Sequence, residues 1–240
     1  SYMEEASEVV FVFFDGGGVL FNGIPRPMLQ KLALSYGNDG NLEEYQIQQI
    51  RERVATANHL PEVRDAWHQL KTNPAYTEQM YWETLISAAS LKENVEQCKQ
   101  LVRESMLVHP DVLRLADAVA RSTTESGERR QIGILSNHAT DWFGSYLQKG
   151  DVLQVFSLPL IVVSQEVRCA KPDFMVFQAV MEKIFAVRPN TKPSEVLFFD
   201  DKQANIDAAR SFGWRAELFN NENQGADVLQ QHLFNHGIML

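Results

Sequence analysis

The amino-terminal part of the chain contains an unbroken apolar run, Val9-Val10-Phe11-Val12-Phe13-Phe14, closed by Asp15 and followed by Gly16, Gly17 and Gly18. A short run of β-branched and aromatic residues predicts a strand buried on both faces of a parallel sheet. The pattern then changes. From Asn22 to Leu107 apolar residues recur at helical spacing, which predicts helices over Met28 to Tyr36, Leu42 to Ala57, Pro61 to Leu70, Thr77 to Ala89 and Asn94 to Met106. Breaks fall at Gly37-Asn38-Asp39-Gly40 and at Asn73-Pro74. Beyond His109, strand and helix patterns alternate, with strands expected at Ile132 to Leu135, Leu160 to Val163, Val196 to Phe199 and Arg215 to Phe219.

The expected fold is therefore α/β: a doubly wound, mainly parallel, Rossmann-like sheet with an inserted all-helical block. Residues 1–21 and 108–240 would form the α/β core and residues 22–107 the helical block. A block inserted directly after the first strand lies beside the carboxyl ends of the strands, where open parallel sheets bind ligands, so it is placed to act as a cap.

Composition narrows the partners. The 240 residues, 45% of them hydrophobic, suffice for a substantial core. With 22 Lys and Arg against 31 Asp and Glu, the formal net charge is −9, which disfavours nucleic acid and anionic membrane surfaces as main partners. A phosphorylated metabolite needs only a local basic pocket. Cys98 and Cys169 have no metal-ligand spacing, and Ser1 to Glu8 carries acids where a secretory signal has a basic region, so a reducing, cytoplasmic setting is expected.

The chemistry sits at predicted strand ends. Asp15 closes the first strand, and Asp200-Asp201 close another, Val196-Leu197-Phe198-Phe199. Adjacent carboxylates repel each other and are best tolerated beside a cation, so Asp15 and Asp200 are expected to converge on one hard metal ion. Ser136-Asn137 end a third strand, and Lys171-Pro172-Asp173 are expected to open a helix with Pro at its first position. Taken alone, Ser136-Asn137 could equally cap a helix, and Lys171 could be a solvated side chain.

These residues, in this order, resemble the haloacid dehalogenase superfamily of hydrolases, in its helical-cap branch. Asp15 with Gly16-Gly17-Gly18-Val19-Leu20 resembles the nucleophile motif, and Leu135-Ser136-Asn137 the second motif. Lys171-Pro172-Asp173 resembles the third, and Phe198-Phe199-Asp200-Asp201 with Asn205 the acidic fourth. The resemblance implies Asp15 as a nucleophile forming an aspartyl-phosphate, with Ser136 donating to a phosphoryl oxygen and Lys171 keeping Asp15 ionised. Backbone N–H groups of Gly16, Gly17 and Asn137 would complete the phosphate cradle. It also implies Mg²⁺, held by Asp15, the Gly17 carbonyl, Asp200 and Asp201, with Asn205 behind them. His138, next to the second motif, stays outside this set.

One position departs from the family pattern. Most phosphatases of this superfamily carry a second Asp two residues after the nucleophile as general acid, and here that place holds Gly17. The wording Asp-x-Gly-x-Val with Phe-Phe-Asp-Asp resembles a subgroup including sugar-1-phosphate phosphatases and the amino-terminal phosphatase domain of soluble epoxide hydrolases. Without a protein acid at this position, the enzyme needs a readily departing group such as a sugar 1-phosphate, a proton from water, the substrate or a cap residue, or else it hydrolyses slowly. The reading is thus a Mg²⁺-dependent phosphatase of a small phosphorylated metabolite. The rival readings are a haloacid dehalogenase, in which Asp15 attacks carbon without a metal, and a catalytically silent binding protein of the same fold.

Overall fold

The computed structural model describes residues 7–23, 26–34 and 44–240. The predicted break at Gly37 to Gly40, and the expected helix limits at Tyr36 and Leu42, lie outside them. The first strand, β1 (Phe11–Phe14), is followed by five helices: α1 (Arg26–Leu34), α2 (Glu44–Asn58), α3 (Pro61–Thr72), α4 (Glu78–Ala89) and α5 (Val95–Ser105). Then come α6 (Pro110–Arg121), β2 (Gln131–Ser136), α7 (Thr140–Leu147), α8 (Val152–Val155), β3 (Ile161–Val163) and α9 (Ser164–Val167). The chain continues with α10 (Phe174–Val187), β4 (Val196–Asp200), α11 (Gln203–Phe212), β5 (Arg215–Leu218) and α12 (Ala226–Asn235).

Local chemistry sets these limits. Thr77 and Asn94, expected inside their helices, are instead N-caps. The Thr77 hydroxyl accepts from the Met80 N–H, and Asn94 forms a reciprocal capping box with Gln97. Pro172 is likewise not the first residue of α10. Asp173 is its N-cap, accepting from the Met175 N–H at 2.9 Å, so helical geometry starts at Phe174 and the Lys171–Pro172 peptide, which is cis, lies outside. Gly213, at φ +111°, closes α11 by donating to the carbonyls of Ala209 and Arg210.

The five strands form one parallel sheet in the order β3-β2-β1-β4-β5. β1 is central, and its side chains alternate between two cores. Val12 and Phe14 pack with residues of α6, α8 and α12, whereas Phe11 and Phe13 pack with those of α10 and α11. All four are fully buried, and each large apolar side chain removed from water contributes about 1.5–3 kcal/mol, so this strand is anchored from both sides. Phe14 is in register with Ile134 on β2 and Phe199 on β4, which brings Asp15, Ser136 and Asp200 to the same carboxyl-terminal edge.

The helices α1 to α5 lie over that edge. The two connections to them run antiparallel: Asn22 N–H donates to the Leu107 carbonyl at 3.1 Å, His109 N–H to the Leu20 carbonyl at 2.8 Å, and Phe21 bridges Val108. On the far side, Gln165 ties the α3–α4 connection to the sheet domain. Its amide donates to the carbonyls of Asn73 and Tyr76 at 3.1 and 3.2 Å, while its oxygen accepts from Thr140 N–H at 2.8 Å.

Candidate active site

Asp15 sits one residue past β1, where its N–H still pairs with the Phe199 carbonyl at 2.9 Å. The chain then turns at once. Gly18 adopts φ +84°, and a Cβ there would lie 2.5 Å from an Asp201 carboxylate oxygen, so both backbone conformation and space require glycine. Asp15, Asp200 and Asp201 thereby offer carboxylate oxygens all within 4.8 Å of one another.

Lys171 lies between two of these acids. Its Nζ donates to Asp15 Oδ1 at 2.8 Å, to Asp200 Oδ2 at 2.7 Å and to the Leu135 carbonyl at 2.9 Å, with its side chain 1% exposed. Burial alone would lower its pKa, but the two carboxylates raise it above the ordinary lysine value. Asn137 fixes the backbone of Lys171 through a pair of hydrogen bonds, Nδ2 to the Lys171 carbonyl at 2.8 Å and Lys171 N–H to Oδ1 at 2.9 Å. Neither Ser136 nor Asn137 caps the following helix, since Ala139 precedes α7. Ser136 is 2% exposed and stands over the glycine turn: a Cβ on Gly16 would come within 2.9 Å of its hydroxyl.

The three acids respond differently. Burial pushes Asp200 up, but Lys171, the Lys202 N–H and Asn205 together hold it below the ordinary carboxylate range. Burial pushes Asp15 up to about 8, assisted by Asp200 and Asp201 and opposed by Lys171. Lys171 pulls toward the ionised form of Asp15, through its charge and its hydrogen bond, against the desolvation that favours the neutral form. Asp201 is raised by burial and by Asp200. Three crowded carboxylates, two of them with raised proton affinity, form an all-oxygen donor set suited to a hard divalent cation. The Gly17 carbonyl accepts no hydrogen bond from the described residues and remains available to the same ion. The Gly16 N–H, expected to face phosphate, donates to Asp15 Oδ1 at 2.8 Å instead.

The family model for haloacid dehalogenase-like hydrolases matches residues 41–217 of this sequence. The chain belongs to that family. A Mycobacterium tuberculosis protein named Phosphatase MT3486 is 26% identical over 222 residues, covering 87% of this chain and 96% of its own. Among solved structures, the HAD family enzyme BT-2542 of Bacteroides thetaiotaomicron, in complex with magnesium and inorganic phosphate, superposes with a TM-score of 0.63 at 17% identity. That match covers 92% of this chain and 98% of the other. L-2-haloacid dehalogenase of Xanthobacter autotrophicus superposes with a TM-score of 0.58 at 17% identity, covering 97% and 85%. Both structural likenesses show the shared fold.

Beside Gly17 a chamber of about 680 Å³ opens between α1 to α5 and the sheet domain. It contains residues that sequence reasoning left out. Arg64, Trp67, His68 and Lys71 of α3 line it, as do His138 and Lys202. Their spacing of three, four and seven residues places the α3 group on one helix face, a pattern legible in the sequence once the helix is known to face the site. Burial, with repulsion from Lys202 and Lys171, lowers Lys71 to about 8. His138 accepts the Ala139 N–H at Nδ1, and burial lowers it to about 4, so the neutral ring carries its proton on Nε2.

Proposed function

We propose that this hydrolase is a Mg²⁺-dependent phosphatase acting on a small phosphorylated metabolite through an aspartyl-phosphate on Asp15. The observation that carries the reading is the buried Asp15–Lys171–Asp200 array, with Lys171 Nζ 2.8 and 2.7 Å from the two acids and Asp201 completing the oxygen cluster. Dehalogenation at carbon needs no such cluster, and the named phosphatase relative agrees with phosphorus as the electrophile.

The ion would be held by Asp15, Asp200, Asp201 and the Gly17 carbonyl, with Asn205 orienting Asp200 from behind, and it would neutralise phosphoryl charge. One oxygen of ionised Asp15 attacks phosphorus as the ester bond breaks, and the departing alkoxide takes up one proton. Water then hydrolyses the aspartyl-phosphate and regenerates the carboxylate. Lys171 balances charge between the nucleophile and the transferring group, and Ser136 donates its hydroxyl to a phosphoryl oxygen. Asn137 acts partly by locking the backbone of Lys171. Residues 22–107 serve as the cap and residues 1–21 and 108–240 as the core, a division supported by the paired connections at Phe21 and Val108.

The test is hydrolysis of p-nitrophenyl phosphate with and without Mg²⁺, alongside release of halide from a 2-haloacid. Asp15→Asn keeps the side-chain shape and removes the nucleophilic anion, so turnover should drop to background in a folded protein. Full phosphatase activity in a strong chelator, or near-normal turnover by the variant, overturns the assignment. Halide release in place of phosphate release favours the dehalogenase reading.

A further inference from the structure

We propose that the substrate is a phosphate monoester whose organic group is apolar, an aromatic or hydrocarbon alcohol, seated in the chamber between the helical block and α7. The inference rests on the phosphatase reading and adds the substrate class to it. The chamber reaches Gly17, two residues from the nucleophile, so an ester oxygen leaving phosphorus on the side opposite Asp15 can direct its carbon substituent into this space.

The walls are largely hydrocarbon, with Asn58, His138 and a few basic side chains among them. Trp67, Tyr81, Trp82, Trp142, Phe143 and Tyr146 form a box of contacting rings, with centroid separations such as 5.1 Å between Trp82 and Trp142 and 5.3 Å between Trp67 and Tyr81. Leu29, Leu32 and Leu85 close it from the helical block. Much of the hydrogen-bonding capacity of this lining is already used inside the protein. Trp82 Nε1 donates to Glu78 at 2.9 Å, and Glu78 is itself held by both terminal nitrogens of Arg103 at 2.7 and 2.8 Å. Trp142 Nε1 donates to the Tyr146 hydroxyl at 2.6 Å. The Asn22 amide is bound at both ends, to the Ser105 carbonyl at 3.3 Å and the Leu107 N–H at 2.9 Å.

The box therefore presents mostly ring faces and aliphatic carbon to whatever enters. A sugar would bring several hydroxyls into it, and each one buried without a partner costs roughly a factor of ten in affinity. A hydrocarbon gains about fourfold for every methylene removed from water. The volume of about 680 Å³ matches cavities that enclose ligands of drug-like size. The cations Arg64, Lys71 and Lys202 line the same space, where they can meet an anionic head group while the rings take the tail.

The experiment measures kcat/KM of the Mg²⁺-loaded protein on ethyl, butyl, hexyl and octyl phosphate, whose leaving groups have nearly equal acidity, and on glucose 1-phosphate. The expected result is a rise of about fourfold per added methylene until the chamber is filled. Hexyl phosphate should exceed glucose 1-phosphate at least tenfold. Octylphosphonate should quench tryptophan fluorescence at concentrations where methylphosphonate does not, a readout independent of turnover. Trp67→Gln and Leu85→Asn should each flatten the chain-length series, and Trp67, partly exposed, is the safer substitution for the fold. A flat series in wild type, or preference for glucose 1-phosphate, with p-nitrophenyl phosphate still hydrolysed, overturns the substrate class and leaves the phosphatase reading standing. Absence of turnover on every ester overturns both.

Discussion

Gly17→Asp tests the missing general acid directly, and the structure leaves room for its Cβ. A Cβ at Gly16 would come within 2.8 Å of Phe143, and one at Gly18 within 2.5 Å of Asp201, whereas one at Gly17 meets nothing nearer than the Asn22 carbonyl at 3.9 Å. The backbone at Gly17 is also outside the left-handed region, so the new residue needs no strained φ. Gly17→Ala is the matched control. Restricting the unfolded chain should stabilise it by about 0.4–1 kcal/mol, or about 1–4 °C in Tm for a chain of this size. A positioned general acid is worth about 10²–10⁴ in rate, and most of that appears with poor leaving groups. The ratio of hexyl phosphate to p-nitrophenyl phosphate turnover should therefore rise at least tenfold in Gly17→Asp relative to Gly17→Ala. Steady-state kinetics at saturating Mg²⁺ on folded, metal-bound protein measures it. An unchanged or lowered ratio would refute the premise and mean that the proton already comes from elsewhere, with Lys71, which lines the same chamber as Gly17, the first group to examine.

Three further outcomes follow from the site. Lys171→Met leaves Asp15 and Asp200 buried without their cation and should cost about 3–5 kcal/mol at neutral pH, read by urea unfolding. The folded variant then binds more protons than the unfolded chain, so part of the loss should return as pH falls from 7 toward about 4. Lys71, held at about 8 below its ordinary value, burdens the fold, since the unfolded chain binds its proton more tightly. Lys71→Met should raise Tm by about 2–4 °C at pH 7 while lowering kcat/KM for phosphate esters, and a lowered Tm would refute the burial argument. His138 has a folded pKa of about 4, below the roughly 6.5 of the unfolded chain. The unfolded state takes up its proton first on acidification, so stability present above pH 6.5 is lost progressively down to about pH 4. His138→Asn should reduce that slope in a series of unfolding curves, and an identical slope would show that other groups cause it.

Much of this architecture was written locally. The run ending in Phe14-Asp15, the Val196 to Asp200 strand and the helices between Pro61 and Met106 follow from periodicity, because a strand buried on both faces and an amphipathic helix each leave a distinct pattern. The strand-end positions of Asp15, Ser136 and Asp200 follow from the same signal. Periodicity places Thr77 and Asn94 inside their helices and Pro172 at the first position of α10, whereas Thr77, Asn94 and Asp173 are caps, since a cap is defined by a hydrogen bond that composition only hints at.

Only tertiary structure decided the rest. The order β3-β2-β1-β4-β5 sets which acids meet, and nothing in a strand's own sequence names its neighbours. The position of Lys171 between Asp15 and Asp200 depends on Asn137 gripping its backbone across 34 residues. That burial would raise Asp15 against the pull of Lys171 required the full shell of surrounding atoms, because desolvation depends on everything packed nearby. The face that α3 turns to the cleft, with Trp67 and Lys71 on it, was fixed by packing against α4 and α9, and with it the largely apolar lining of the chamber. Periodicity tells a helix that it has a buried side; the shape of the partner it packs against chooses what the other residues see.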